Sequence, residues 1–532
     1  MSFLYRDRFK LRIIICLCLV TATIILCIGR IGAVCLDTRV AASVDNYVTV
    51  SIDSGRGDIL DCNGKKITGA TKIYSNIFLP TESGKAEFEK YANDNEYIVG
   101  ERHFLNNKPA VLKRDFEINE NGVYCIEVEE RYGEINSLEH ILGYINSENK
   151  GVTGIEKAYD DILIQSGEST VSFYVDASGD YLAGAEPIIK ENAGDSAVYL
   201  TINKDIQKIC SDAMTDIKKG AVVVTEIKSG KIRAMVSRPG YDATKVADYL
   251  ERTDSPLLNR AINCYSTGSV FKPLIAAALL ENGVGGFEYE CTGICNISGI
   301  DFHCYNRTGH GKMDIANALC FSCNTYFYNA VGLVRPSALT SLATSLMLVS
   351  PINLAPGIVS KAGNIPDTPA LKNPAVAANF SIGQGSVLLS PLAISNLYVA
   401  IANDGWYYTP TLIEGLKKNG EYKSEKPGDK NIVMSKGTAA ALREYLSYVV
   451  SFGTGVNAMP EKGGALGKTA TAQTGKYEAG IELVNAWFCG IFPKDNPEYV
   501  VTVFLEDSAS GGGNSAPIFK KICDGINNLK IK

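Results

Sequence analysis

The stretch NCYSTGSVFKPLIAAALLENG, residues 263–283, puts a serine and a lysine three positions apart at the head of an apolar run. Pro273 lacks a backbone N–H and is therefore tolerated only near the start of a helix. We predict that this helix begins at about Ser269 and stops at Gly283. Lys272 then lies one turn beyond Ser269 on the same helix face, so the two side chains can act together.

The pairing of Ser269 with Lys272 is typical of a serine nucleophile that uses a lysine as its base. Ser269 would sit at the positive end of the helix dipole, and burial beside that end would lower the pKa of Lys272. The sequence holds only four histidines and no Gly-x-Ser-x-Gly motif, which argues against a Ser-His-Asp hydrolase. Ser-x-x-Lys alone is a weak pattern, because a serine N-cap followed by an exposed lysine has the same spacing.

Two later motifs strengthen this interpretation. Ser-Cys-Asn at 322–324 lies in ALCFSCNTYFYNAVGL, and Lys-Thr-Ala-Thr at 468–471 lies in the strand-like run GALGKTATAQT. Serine-x-x-lysine, serine-x-asparagine and lysine-threonine, in this order, form the three-part signature of penicillin-recognising serine enzymes. Three parts in the right order are a strong signal.

The sequence around these motifs predicts an antiparallel sheet covered by helices. Two β-branched runs, GAVVVTEI and KIRAMVS, predict a hairpin that begins at Gly220. A mostly helical middle follows, and the strand-like runs GALGKTATAQT, NAWFCGIFP and EYVVTVFLED precede a last helix, SAPIFKKICDGINNL. Strands on both sides of a helical insert favour an α/β fold with one antiparallel sheet.

Several segments resemble the transpeptidase domain of class B penicillin-binding proteins. They are SPLLNRAINCYSTGSVFKP, ALCFSCNTYFYNAVG, FSIGQGSVLLSPLAISNLYVAIANDG and AWFCGIFP. RGDILDCNGKKI and HILGYINSENKGVTGIEKAYDDIL resemble the pedestal domain that precedes it in that family. The resemblance implies a β-lactamase/transpeptidase-like fold and a membrane-anchored D,D-transpeptidase that cross-links peptidoglycan stem peptides and is acylated by β-lactams. It also implies a separate membrane glycosyltransferase as partner, since no glycan-polymerising domain is recognisable.

The resemblance implies a role for each motif residue. Ser269 would attack the carbonyl of the penultimate D-Ala, and Lys272 would accept the proton of its hydroxyl. Ser322 and Lys468 would relay a proton to the leaving amine, while Asn324 would hold Lys272 and the substrate amide. The amine of a second stem peptide would resolve the acyl-enzyme, and no metal or organic cofactor is required.

The strand at 468–471 is implied to bind the donor peptide. The peptide would add antiparallel to this strand, and the hydroxyls of Thr469 and Thr471 would hold its terminal carboxylate. The backbone N–H groups of Ser269 and Thr471 would form the oxyanion hole. Ala470 replaces the glycine usual in this motif. The Cβ of Ala470 would narrow the cleft if it faced the substrate. Strand alternation favours the other case, in which the side chain points to the far face of the sheet.

The N-terminal residues predict a membrane anchor. Four basic residues in MSFLYRDRFKLR precede an uncharged run, IIICLCLVTATIILCIG, long enough to span most of a bilayer core. A cleaved signal peptide is the alternative, but the run exceeds the usual h-region and IGAVCLDT offers only a weak cleavage site. The basic residues would keep the N-terminus in the cytoplasm and place the rest outside. The net charge of −6, without a basic stripe, argues against nucleic acid as a partner.

We therefore predict four parts along the chain. They are a cytoplasmic tail at 1–12, a transmembrane signal anchor at 13–36, an α+β pedestal (dimerisation-type) domain at 37–195 and a transpeptidase domain at 196–532. The last boundary rests on a change of pattern near Tyr199, where a strand end leads into a predicted helix.

A further group of reactive side chains lies around the second motif. It comprises Cys291, Cys295, His303, Cys304, His310, Cys320 and Cys323. The spacing fits no standard structural zinc site, and zinc on Cys323 would block the active site, so we predict no metal here. Cys320-x-x-Cys323 has the spacing of a redox motif but lacks its βαβ context. A disulfide between Cys291 and Cys304 stays open.

Three rival functions share the serine motif. A β-lactamase would need a deacylating glutamate, which the sequence does not reveal, and would not explain the anchor and the pedestal. A β-lactam receptor would carry a multi-span sensor with a cytoplasmic effector, whereas only a twelve-residue tail precedes the predicted anchor. A catalytically impaired scaffold of the cell-wall machinery stays open because of Ala470.

Overall fold

The computed structural model describes residues 2–36, 46–52, 55–133, 135–164, 168–176, 179–182, 185–191, 195–478, 480–508 and 512–531. The chain forms two compact units. The first comprises Met1–Asp53, Ile73–Val128 and Glu168–Glu191, and the second comprises Ser54–Lys72, Glu129–Gly167 and Asn192–Lys532. The predicted start of the pedestal at residue 37 lies outside the described residues, and its predicted end at 195 stays a prediction.

The first unit begins with a long apolar helix, α1 (Ser2–Leu36). Its segment Lys10–Ala33 is long and apolar enough to cross a membrane, by length and composition, and is not buried by the rest of the protein. The hydroxyls of Thr21 and Thr23 donate to carbonyls one turn earlier, at 2.8 and 2.6 Å. Their polarity is thus satisfied inside the helix, as a lipid environment requires.

The rest of the first unit consists of two small sheets and two helices. Tyr47–Ser51, Thr170–Tyr174 and Ile188–Lys190 form one sheet, and Ala110–Arg114, Thr71–Phe78 and Val123–Glu130 form the other. The helices are Glu82–Tyr91 and Asp94–Leu105, and Asn93 and Glu96 form a capping box at the start of the second. Three buried phenylalanines, Phe78, Phe88 and Phe104, pack edge to face in its core.

The second unit is built on a five-stranded antiparallel sheet. Its strands are β1 (Gly220–Glu226), β2 (Ile232–Arg238), β3 (Leu466–Glu478), β4 (Ile481–Phe492) and β5 (Tyr499–Ser508), in the spatial order β2-β1-β5-β4-β3. The predicted hairpin is formed by β1 and β2, and the three predicted C-terminal strands pair with one another. β3 lies at the edge of this sheet, so one side of its backbone is free to bind another strand.

Helices cover both faces of the sheet. Four of them matter below: α2 (Lys272–Glu281), α3 (Asn324–Ala330), α4 (Pro391–Ala402) and α5 (Gly512–Ile531). Successive valines of β1 alternate between two cores, because Val223 packs with α4 whereas Val222 and Val224 pack with α5. The predicted α/β architecture, an antiparallel sheet covered by helices, is confirmed.

The remaining elements of the second unit connect these layers. The other α-helices are Glu139–Leu142, Gly154–Ala158, Asp160–Leu163, Lys204–Ala213, Ile315–Cys320, Pro336–Ser345, Pro374–Ser381 and Lys436–Ser451. A four-stranded sheet contains Asp58–Leu60, Ala197–Leu200, Ile413–Lys418 and Glu421–Ser424. Paired short strands are Tyr265–Ser266 with Leu388–Leu389, Asn353–Ala355 with Ile358–Val359, and Trp406–Tyr408 with Lys430–Ile432.

One loop folds into two small hairpins beside α3. Tyr289–Cys291 pairs with Gly311–Met313, and between them Ile294–Ile297 pairs with Ile300–His303. We call residues 289–313 the hairpin segment.

Candidate active site

The predicted nucleophile lies on a tight turn at the start of its helix. Gly268–Phe271 forms a 3₁₀ turn, and α2 follows from Lys272, with Pro273 in its first turn. The backbone N–H of Lys272 donates to the carbonyl of Ser269, three residues back. Pro273 has no N–H with which to close an α-helical bond to Ser269, so this turn is 3₁₀ rather than α. The helical path starts where the sequence predicts, but the α-helix itself begins three residues later.

Close packing holds this turn against β3. Gly268 has a φ of +59°, and a Cβ on it would lie 3.2 Å from the carbonyl oxygen of Thr471, so both conformation and space favour glycine. The N–H of Gly268 donates to the carbonyl of Gly383 at 2.9 Å, and the buried hydroxyl of Tyr398 donates to the carbonyl of Val270 at 3.0 Å. Three separate elements therefore fix the position of Ser269.

Lys272 is wholly buried beside this turn. Its Nζ donates to the carbonyl of Ser322 and to Oδ1 of Asn324, both at 2.7 Å, and lies 3.2 Å from the Ser322 hydroxyl. The ring of Phe327 lies 5.4 Å from Nζ. Burial disfavours the ammonium form and lowers the pKa of Lys272 from 10.5 to about 7. A lysine in this state can accept a proton near neutral pH.

Ser322 connects the nucleophile to this lysine. Its hydroxyl lies 3.0 Å from Oγ of Ser269 and 3.2 Å from Nζ of Lys272. Ser322 has a φ of +54°, a left-handed backbone conformation uncommon outside glycine. The next turn of chain starts α3 at Asn324, so one tight turn supplies both partners of Lys272.

Lys468 lies on the edge strand β3 and is also wholly buried. Burial, followed by the nearby charge of Lys272, lowers the pKa of Lys468 well below its usual value. Its Nζ donates to the carbonyl of Thr469 at 3.2 Å. Between described residues no hydrogen bond joins Lys468 to Ser322, so the implied relay between these two is not formed in this structure.

The three residues after Lys468 alternate across the sheet. Thr469 hydrogen-bonds through its hydroxyl to that of Thr454 at 2.8 Å, and the side chain of Thr471 is exposed. Ala470 is 3% exposed and packs in the main core, where its strand partner is Trp487. The Ala470 methyl group therefore points away from the two threonine hydroxyls.

Four residues outside the motifs help to build the site, and the sequence analysis assigned none of them a role. They are Gly383, Tyr398, Thr454 and Trp487, the last of which donates its indole N–H to the carbonyl of Ser266 at 2.9 Å. Three of the four, Gly383, Tyr398 and Trp487, lie in segments that carry the family resemblance, so the resemblance could have pointed to them. Nothing in the sequence around Thr454 indicated its contact with Thr469.

The seven cysteine and histidine side chains near the second motif separate into two sets. Ligand atoms of Cys291, Cys304, His310 and Cys323 all lie within 4.8 Å of one another. Cys295, His303 and Cys320 lie outside this set. The interpretation of Cys320-x-x-Cys323 as a redox motif gains no support, because the thiol of Cys323 lies in the first set and that of Cys320 does not.

Comparison with known proteins agrees with the geometry. The model of the penicillin-binding protein transpeptidase domain matches residues 220–524, more than half of the chain. Stage V sporulation protein D of Bacillus subtilis is 28% identical over 90% of this chain and 79% of its own length. Peptidoglycan D,D-transpeptidase MrdA of Haemophilus influenzae is 27% identical over 96% of this chain and 90% of its own.

A solved structure has a similar fold. It is described as showing the structural coordination of polymerization and crosslinking by a peptidoglycan synthase complex, and it matches with a TM-score of 0.67 and 23% identity over 96% of this chain and 98% of that chain. At this identity the likeness supports the fold alone. The three motifs, the sheet with its edge strand and the family match together show that the chain belongs to the penicillin-binding protein transpeptidase family, among its class B members.

Proposed function

We propose that this protein is a peptidoglycan D,D-transpeptidase that cross-links stem peptides through an acyl-enzyme on Ser269. The observation that carries the proposal is the continuous path from Ser269 through the Ser322 hydroxyl to the buried amine of Lys272. A hydroxyl next to an amine whose pKa is about 7 is the arrangement that an activated serine nucleophile needs. The relative named as a D,D-transpeptidase supports the same reaction.

Hydrogen-bond counting supports Lys272 as the base. A neutral amine has two N–H bonds and one lone pair. The two short contacts, to the Ser322 carbonyl and to Asn324, use both N–H bonds. In the structure the Lys272 amine donates to the Ser322 hydroxyl, and that hydroxyl donates to Ser269 Oγ, as the ammonium form requires. In the neutral form the lone pair faces the Ser322 hydroxyl and both bonds reverse, so a proton can pass from Ser269 through Ser322 to Lys272.

The reaction follows from this arrangement. Ser269 Oγ attacks the carbonyl carbon of the penultimate D-Ala while its proton moves through Ser322 to Lys272. The bond to the terminal D-Ala then breaks, and the leaving amine takes a proton from the site, with Lys468 as the second proton carrier. The amine of a second stem peptide attacks the resulting ester and loses its own proton, which restores Ser269.

The free edge of β3 is the binding place for the donor peptide. A peptide that adds along residues 468–471 gains main-chain hydrogen bonds without any rearrangement of the sheet. The backbone N–H groups of Ser269 and Thr471 form the oxyanion hole, a contribution that is typically about 3–4 kcal/mol. The close contact of Gly268 with the Thr471 carbonyl supports this pairing, because it brings the two backbones together.

The membrane arrangement and the partner are part of the proposal. The basic residues before the apolar part of α1 favour a cytoplasmic N-terminus and an extracytoplasmic catalytic domain. The structural neighbour from a synthase complex supports a membrane glycosyltransferase as the partner that supplies glycan strands.

Labelling with a fluorescent penicillin tests the acyl-enzyme. Full-length protein in detergent should be labelled covalently, Ser269→Ala should lose the label, and Ser266→Ala in the same stretch should keep it. Labelling that survives Ser269→Ala would refute the nucleophile assignment.

A cross-linking assay then tests the reaction itself. The protein is incubated with lipid II and a peptidoglycan glycosyltransferase, and cross-linked muropeptides are counted by mass spectrometry. Ser269-dependent labelling without cross-linking would favour a β-lactam receptor or a scaffold, and rapid turnover of the label would favour a β-lactamase.

A further inference from the structure

The cluster of Cys291, Cys304, His310 and Cys323 has no part in the proposed reaction. Its members come from separate points of the chain: the end of one strand, the loop after the inner hairpin, the residue before the pairing strand, and the residue that precedes α3. The three cysteines are buried, and the histidine is half-buried. Three thiols and an imidazole that converge in this way match the ligand set of a structural zinc site.

The histidine is held in the form that binds a metal. The hydroxyl of Tyr305 donates its proton to the carbonyl of Phe321 at 2.8 Å, so its oxygen is free to accept a hydrogen bond. Nε2 of His310 lies 3.3 Å from that oxygen and therefore carries the ring proton. Nδ1 is left with a lone pair, and an outer partner that fixes the tautomer in this way is typical of metal-binding histidines.

The distances fit tetrahedral coordination. Nδ1 of His310 lies 3.5 Å from the sulfur of Cys291 and 3.5 Å from that of Cys304. Zinc bonds of about 2.3 Å to sulfur and about 2.0–2.1 Å to nitrogen, at tetrahedral angles, separate the two ligand atoms by about 3.5 Å. These two edges are therefore those of a zinc-sized tetrahedron, and the remaining pairs of ligand atoms lie within 4.8 Å.

The inner hairpin of the hairpin segment is weakly packed. All eight of its side chains are exposed or half-buried, although Phe302 packs on Tyr328 with ring centroids 5.1 Å apart, and so short a hairpin is marginal in water. A metal is one of the usual ways to stabilise so small a structure. The N–H of Asn324 also donates to the sulfur of Cys304 at 3.4 Å, a contact that helps to orient a thiolate ligand.

The cluster does not obstruct the nucleophile. The hydroxyl of Ser322 faces Ser269, whereas the thiol of Cys323 is wholly buried and contacts Thr325 and the other three ligands. Neighbouring side chains leave this turn in different directions, so an ion held by Cys323 would lie on the other side of the turn from the Ser322 hydroxyl.

We propose that these four side chains bind one structural zinc ion, which fastens the hairpin segment to the turn that carries Ser322 and Asn324. Binding replaces the thiol protons, which pass to solvent, and involves no redox step. The ion lies behind the turn and does not touch the substrate. The inference does not depend on the proposed reaction, since a scaffold or a receptor would need the same fastening.

Metal analysis of the full-length protein tests the site directly. Protein purified in detergent without a metal-affinity tag should carry about one zinc ion per chain by elemental mass spectrometry. After chelation and refilling with Co²⁺, the visible spectrum should show the intense bands of tetrahedral cobalt with thiolate ligands. These two readouts need no variant and so do not depend on whether a variant folds.

Matched variants identify the ligands. His310→Ala and Cys291→Ser should lower zinc content at least severalfold, whereas His303→Ala and Cys295→Ser in the same segment should leave it unchanged. Removal of the metal should speed amide hydrogen exchange in residues 289–313 and 322–326 but not in β4 and β5.

Three results would overturn the proposal. They are full-length protein without zinc and without a cobalt–thiolate spectrum after refilling, zinc content unchanged in a protein that carries both His310→Ala and Cys291→Ser, and a Cys291–Cys304 disulfide found by mass spectrometry of non-reduced peptides.

Discussion

The two sides of the active site are held in place by different forces. The sheet wall, residues 466–471, belongs to the buried sheet, where Leu466 is 2% and Ala470 3% exposed. The loop wall, residues 322–324, lies next to the hairpin segment, in which Ile294 and Ile300 are 41% and 53% exposed. Strand packing therefore fixes the sheet wall. The loop wall also has Cys323 buried in the main core, but its contacts with Lys272 are hydrogen bonds and it borders the thiol cluster.

The difference decides how each wall responds to a lost contact. A buried apolar side chain contributes about 1.5–3 kcal/mol, and the sheet to which the sheet wall belongs has many of them. A hydrogen bond contributes about 0.5–1.5 kcal/mol, or about 1.5–3 kcal/mol when one partner is charged. Since the loop wall depends on few such bonds, chemistry that passes through it should be the more sensitive to single polar substitutions.

The largest effect is expected for Lys272→Met. The amine of Lys272 makes all its hydrogen bonds to the loop wall, and loss of a general base typically slows a reaction by about 10²–10⁴-fold. The rate constant of acylation by a fluorescent penicillin should fall by this amount. The apolar chain removes the cost of burying an amine but leaves the Ser322 carbonyl and Asn324 Oδ1 without this donor, so the two effects oppose each other and the free energy of unfolding should change by no more than about 1–3 kcal/mol.

Lys245→Met, an exposed lysine, is the control for this variant and should acylate normally. An acylation rate within threefold of wild type would show that Lys272 is not the base. Lys468 on the sheet wall would then be the candidate for that role. A fall in the thermal unfolding midpoint would instead show that the hydrogen bonds of Lys272 hold the loop wall in place.

The contrast between the walls also explains what the sequence could predict. Ser269 and Lys272 are one turn apart on one helix, and the other four strands of the sheet contain apolar runs, so local patterns reveal both. The four side chains of the thiol cluster come together only after two hairpins fold back on α3, so their spacing along the chain has no local period. The direction of the Cys323 thiol follows a φ of +54° at Ser322, which cannot be inferred from residue types.

The next effect concerns Asn324→Ala, which removes one acceptor from Lys272. The bond between Asn324 Oδ1 and Lys272 Nζ is 2.7 Å long, and a bond to a charged group contributes about 1.5–3 kcal/mol. Acylation should slow by about 10–150-fold. Thr454→Val removes a neutral bond from the sheet wall and should slow it only about 2–13-fold.

Rate constants for both variants, measured with the same penicillin, test the comparison itself. If Thr454→Val had the larger effect, the sheet wall would be the more fragile side, and the assignment of forces given above would be wrong.

The acidic limb of the pH dependence of acylation reports on the protonation of Lys272. Burial lowers the pKa of Lys272 to about 7, and the neutral amine is the active form. Activity should therefore be present above pH 7 and fall about tenfold for each unit below it. Because Asn324 stabilises the ammonium form, Asn324→Ala should lower this pKa and move the acidic limb to lower pH.

Stopped-flow acylation between pH 5 and pH 9, in a buffer of constant ionic strength, gives the acidic limb of the wild type and that of Asn324→Ala. A limb that stays in place in Asn324→Ala would mean that the titrating group does not contact Asn324, which would separate it from Lys272.

The smallest effect is expected on the sheet wall, for Ala470→Gly. The Ala470 methyl group packs in the core opposite Trp487 and points away from the hydroxyls of Thr469 and Thr471. Acylation should change by about twofold at most, within the range of about 0.5 kcal/mol that neutral substitutions show. Stability should fall by about 0.5–1 kcal/mol, because glycine in a strand costs entropy and leaves a small void.

Ala472→Gly, on the same strand and also buried, should lose a similar amount and so serves as the control for stability. A tenfold gain in acylation by Ala470→Gly would instead show that the methyl group narrows the cleft. In that case the packed Ala470 methyl group slows catalysis in the natural protein, and this result would support the alternative of a catalytically impaired scaffold.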